Sequence, residues 1–113
     1  MGWYPGHIIE KAAAFLLDEL AQRSPRRYSE FYDGEDKTHD RLLEVLGLDD
    51  EYCSAELGLD LAVFVLENEG LVEKDDLAEK LADGEPDYTL TLTAAGRRFH
   101  RAGQKVKSKG IEV

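Results

Sequence analysis

Residues 57–66 are apolar at every position except Gly58 and Asp60, and Gly70 follows shortly after. Such a run is far shorter than the roughly 20 residues that span a bilayer. It therefore has to be covered by the rest of a fold. Leu57, Leu61, Phe64 and Val65 recur at helical spacing, with Leu59, Val63 and Leu66 beside them. The spacing predicts a helix that is apolar over most of its circumference and buried on more than one side. Strand propensity in residues 61–66 is the competing reading. Helical spacing reaching back to Leu57, and the polar flank Glu67, Asn68 and Glu69, favour the helix. Ser54 is its predicted N-cap, Glu56 suits its first turn, and Gly70 stops it.

A chain of 113 residues suits one domain with a core of its own. Pro5 opens a first helix, in which Ile8, Ile9, Ala12, Ala13, Phe15, Leu16, Leu17 and Leu20 form the apolar face. Glu10, Lys11, Asp18 and Glu19 fall on the other face, and Pro25 ends the helix near residues 22–24. Residues 23–36 read as a loop or short helix holding a basic patch, the aromatics Tyr28, Phe31 and Tyr32, and an Asp33-Gly34 turn signal. A second helix is expected over about 37–46, with Leu42, Leu43 and Leu46 inward and Gly47 as terminator. Leu71-Val72-Glu73 reads as a short strand, and the alternation Tyr88-Thr89-Leu90-Thr91-Leu92 as its partner. Between them lies a long acidic connection, in which residues 75–82 are expected to form a helical turn. Thr93 caps a last helix to about residue 102, Gly103 ends it, and 104–113 reads as a flexible basic tail.

Two segments carry a family resemblance. Leu66-Glu67-Asn68-Glu69-Gly70-Leu71-Val72 resembles the turn that closes the recognition helix of winged-helix proteins. Tyr88-Thr89-Leu90-Thr91-Leu92-Thr93-Ala94-Ala95-Gly96-Arg97-Arg98-Phe99 resembles the segment that forms their second wing strand and opens the next helix. The resemblance spans about residues 36–103. It implies a winged helix-like three-helix core with a two-stranded β-hairpin wing and a C-terminal helix. With the extra N-terminal helix read from periodicity, which the resemblance does not cover, the expected fold is α+β. One domain would then comprise an N-terminal helix and aromatic loop (1–35), the core (36–103) and the tail (104–113). The resemblance also implies DNA binding, as in winged-helix transcriptional regulators.

Charge departs from that pattern. The net charge is −10. From Thr93 onward six bases stand against Glu112, giving +5; the first 92 residues hold eight bases and 23 acids, giving −15. A helix that enters the major groove presents polar and basic side chains near its start. Here that stretch offers Ser54, Glu56, Gly58, Leu59 and Asp60, preceded by Asp49, Asp50 and Glu51. Carboxylates repel a phosphate backbone. The charge therefore favours a protein partner or a homodimer, in a regulatory adaptor, over nucleic acid.

DNA contact remains the alternative, through Arg23, Arg26 and Arg27 and the basic end, Arg97, Arg98, Arg101, Lys105 and Lys107. Trp3, Tyr4, Leu59 and Val63 are the candidate protein-interface residues. Asp33, Glu35, Asp36, His39 and Asp40 lie close in sequence but match no EF-hand spacing, and read as a solvated loop. His7, His39 and His100 are dispersed, and no zinc, phosphate-loop or dinucleotide motif occurs. No catalytic residues, cofactor, metal or small-molecule ligand are expected. A single cysteine, Cys53, asks for no oxidising compartment, and the absence of a signal-like or membrane-spanning segment gives a cytoplasmic expectation.

Overall fold

The computed structural model describes residues 3–31, 38–47, 52–80 and 86–112. Its elements run β1 (Trp3–Tyr4), α1 (Gly6–Gln22), β2 (Arg26–Arg27), a 3-10 turn (Tyr28–Phe31), α2 (Thr38–Leu46), α3 (Tyr52–Asn68), β3 (Val72–Lys80), β4 (Pro86–Leu92), α4 (Ala94–Arg101) and β5 (Ile111–Glu112). The fold is α+β. Among the described residues no helix is long and apolar enough to cross a membrane.

Residues 57–66 are helical, within α3. Ala55, Leu59, Ala62, Val63 and Leu66 are buried, and α3 packs chiefly against α1. On α1, Ile9, Ala12, Ala13, Phe15, Leu16, Leu17 and Leu20 are buried, and α2 adds Leu42 and Leu46. Each fully buried Leu contributes about 2 kcal/mol through removal of apolar surface from water. Gly70, at φ 73°, ends α3 in the left-handed region that favours glycine. The Leu71 N–H bonds to the Leu66 carbonyl and the Gly70 N–H to the Glu67 carbonyl, satisfying the last turn. The helix starts at Tyr52, so Ser54 lies inside it and is not the N-cap.

Two corrections concern the sheet. It has three strands in the order β2-β4-β3, all antiparallel. Arg26 pairs with Leu90 and Arg27 with Thr89, so part of the presumed basic loop is a strand. Residues 75–80 belong to β3 and are not helical; pairing runs from Val72–Leu92 to Asp76–Tyr88, shifts, and resumes at Lys80–Pro86. Pairing to the alternating β4 outweighs the weak strand propensity of this acidic segment. Residues 81 and 82 lie outside the described residues.

The end of the chain is docked, not loose. Ile111 and Glu112 pair with Tyr4 and Trp3, the Ser108 N–H donates to Glu10 at 2.8 Å, and Val106 is buried. Thr93 caps α4 as expected: its hydroxyl accepts from the Gly96 N–H at 2.9 Å.

Candidate interaction surfaces

Helix α3 turns an acidic stripe outward. Glu56, Asp60, Phe64 and Glu67 recur at i,i+4 and i,i+3 spacing, opposite the buried face, and all four are exposed. Phe64 is 55 % exposed, unusual for a side chain of that size. Beside it, the Tyr28 hydroxyl donates a hydrogen bond to the Asp60 carboxylate. Tyr28 stacks on Tyr88 with ring centroids 4.6 Å apart, and the Lys74 ammonium lies 4.6 Å from the Tyr88 ring centre. Burial, and then the Asp60 carboxylate, push the Tyr28 phenol far above its ordinary range. It therefore stays protonated as a donor, which fixes Asp60 against the sheet.

The N-terminal arginines do not form a free basic patch. Arg26 is buried, with its guanidinium 3.3 Å from Glu19, 3.7 Å from Glu30 and 4.8 Å from the Phe31 ring centre. Glu19 also pairs with Arg41 on α2. Arg23 is exposed but bonded to Glu30 at 2.7 Å. Arg27 has an exposed side chain, and its backbone N–H donates to Glu30 at 2.8 Å. This differs from the sequence expectation, which placed Glu19 on the polar face of α1. The carboxylate is instead folded into the core, where it neutralises Arg26.

Partial burial raises the Glu30 carboxyl, but the Arg27 N–H, the Arg23 hydrogen bond and the charges of Arg23 and Arg26 outweigh this and hold it below its usual range. A carboxyl lowered in the folded state stabilises the fold above its unfolded value, about 4.3 for Glu. That contribution disappears as pH falls through the lowered folded value. Wild type should therefore melt above Glu30→Gln at neutral pH, and the two melting curves should converge below about pH 4. A gap that persists undiminished in acid would show that Glu30 acts by shape alone.

The basic end gathers on α4 and the segment after it. Arg97, Arg98, Arg101, Lys105 and Lys107 are exposed. The His100 Nε2 lies 2.7 Å from the Asp18 carboxylate and ties α4 to α1. An open cleft of about 400 Å³ is lined by Ala21, Leu92, Arg97, His100 and Arg101. Lys105 and Lys107 flank the buried Val106, beside a second cleft that includes His7 and Lys11. The structure thus keeps Arg97, Arg98 and Arg101 on the surface while Arg26 is consumed inside.

Of the four candidate protein-interface residues only Trp3 is exposed, at 62 %. Leu59 and Val63 are buried against the protein's own core, which removes them as contact residues. Tyr4 is buried too; a Cβ on Gly58 would land on its hydroxyl. By apolarity Phe64 falls in the stripe of Leu57, Leu61 and Val65, but its spacing, four residues from Asp60 and three from Glu67, puts it on the outward acidic side. Among the described residues no cluster of His, Cys, Asp and Glu is placed to hold a metal, and residues 33–36 lie outside them. The sequence matches no protein-family model, and neither a curated protein nor a solved structure is significantly similar to it.

Proposed function

We propose that this chain is a winged-helix domain acting as a regulatory adaptor, through protein contacts made by the outward face of α3. The element order α1, β2, α2, α3, β3, β4, with β4 central in the sheet, supports the winged-helix reading. So do the two sequence segments that resemble that family. One observation carries the functional reading: Glu56, Asp60 and Glu67 occupy the outward face of the helix that such a fold offers to a groove. Carboxylates there oppose phosphate, whereas an exposed phenylalanine among them suits an apolar anchor for a protein.

The second reading is DNA binding through Arg97, Arg98, Arg101, Lys105 and Lys107. Its support is that these cations are exposed and, among the described residues, make no ion pair. Fluorescence anisotropy with a mixed-sequence duplex separates the two readings. At ~150 mM salt no saturable binding is expected at micromolar protein, because few phosphates can be neutralised. Micromolar, salt-sensitive binding that is lost on Arg97→Ala/Arg98→Ala/Arg101→Ala would replace the adaptor reading with the second.

A further inference from the structure

We infer that the chain associates with a second copy of itself, head to tail: Phe64 on α3 of one copy enters the α1–α4 cleft of the next. This rests on the protein-contact reading above and names the partner. The knob is a half-exposed Phe64 with Asp60 one helical turn before it and Glu67 nearly one turn after. The hole has an apolar floor, Ala21 and Leu92, and a rim formed by the cations Arg97 and Arg101 with the His100 ring between them. Its volume, about 400 Å³, accepts a phenyl ring. Arg97 and Arg101 are themselves one turn apart on α4. Their long side chains match the carboxylates that flank the ring, so insertion of the apolar group and pairing of the charges happen together.

Symmetric pairing is disfavoured by the same residues. Setting α3 against α3 would bring Glu56, Asp60 and Glu67 of both copies face to face. A head-to-tail contact uses two different surfaces, so each copy keeps one unused surface and association continues past the dimer. The charge division of the chain, acidic up to residue 92 and basic after it, has the sense this contact requires.

Sedimentation of the full chain tests it. Wild type should show a mass that rises with concentration and falls back at least tenfold in association constant between ~50 and ~300 mM salt, as screening tightens. Phe64→Ala should be monomeric, having only the cleft. Arg97→Glu/Arg101→Glu should also be monomeric, having only the knob. Mixed in equal amounts, the two should form a complex that stops at two chains. Circular dichroism checks that both fold, and Arg97→Gln/Arg101→Gln replaces the charge reversal if it does not. A monomeric wild type at all concentrations, or a mixture of folded variants that stays monomeric, overturns the self-association. Either result leaves the protein-contact reading to the DNA titration, which decides it separately.

Discussion

Glu19→Ala is expected to remove about 3–5 kcal/mol of stability, the range for breaking a buried ion pair by deleting one partner. The cause is what remains behind. The Arg26 side chain is only 5 % exposed and lies within reach of Glu19 and, less closely, of Glu30. Without Glu19 the Arg26 guanidinium stays in the core, with the partly exposed Glu30 carboxylate at 3.7 Å. Against a total of about 5–15 kcal/mol for a small domain, that loss brings the fold close to its limit. Arg41→Ala provides the contrast. It removes the other cation on Glu19, but its side chain is 49 % exposed. Solvent screening holds its contribution to about 1 kcal/mol or less. Urea unfolding of both variants measures the difference. Equal losses would mean that the Glu19–Arg26 pair is not the structural link between α1 and β2.

Gly96→Ala should destabilise by about 3 kcal/mol, the upper part of the range for overpacking a core. Helix propensity alone gives the opposite sign, a gain of about 1 kcal/mol for alanine over glycine inside a helix. Geometry decides between them. A Cβ on Gly96 would land on the Leu71 carbonyl oxygen and 2.6 Å from the Leu92 Cδ1. The carbonyl cannot retreat freely, because it accepts the Thr93 N–H at 3.1 Å and the Thr93 hydroxyl at 3.0 Å. Moving it would loosen the start of β3 and the cap of α4 together. Gly70→Ala is the control: nothing lies within 4 Å of its Cβ, so only the positive φ matters, about 1–2 kcal/mol. Thermal melts rank the two. An unchanged or raised melting temperature for Gly96→Ala would refute the close approach of α4 to the Leu71 turn.

Long periodic segments were legible in the sequence, since burial of one face leaves a regular trace. The apolar face of α1, the helical state of residues 57–66, the alternation of β4, the Thr93 cap and the terminators Gly47, Gly70 and Gly103 were readable. The inward side of α3 was not, because Ala55, Leu59, Ala62, Val63 and Leu66 are buried there while the expected stripe of Leu57, Leu61, Phe64 and Val65 is half-buried or exposed. What escaped depends on partners far away in the chain. β2 has two residues, too few to alternate, and exists because β4 offers an edge. β3 runs through residues with poor strand propensity because pairing overrides it. The end of the chain looks like a solvated tail, yet Val106 and Ile111 find cover, and Gly6 lets it approach α1 closely: a Cβ there would strike the backbone at Ser108 and Gly110.

The candidate surfaces were legible by charge and misread by exposure. Arg23, Arg26 and Arg27 look alike in sequence, but the Glu19 and Glu30 carboxylates pair with the guanidinium groups of Arg23 and Arg26, while Arg27 gives Glu30 its backbone N–H and keeps its side chain exposed. Arg97, Arg98 and Arg101 are exposed, as their spacing on a short helix requires. Leu59 and Val63 lie on the inward side of α3, and Phe64 on the outward side. Composition alone does not distinguish them, because residues 61–66 are all apolar; the spacing of Phe64 from Asp60 and Glu67 does.

Whether the outward face of α3 avoids duplex DNA can be observed residue by residue. Amide shifts of the isotope-labelled chain, recorded while mixed-sequence duplex is added at low salt, give the footprint directly. The expected result is that Glu56, Asp60, Phe64 and Glu67 stay unmoved, with any weak shifts confined to Arg97, Arg98, Arg101, Lys105 and Lys107. Saturable shifts centred on Asp60 and Phe64 would contradict it and place the nucleic acid on the acidic helix after all.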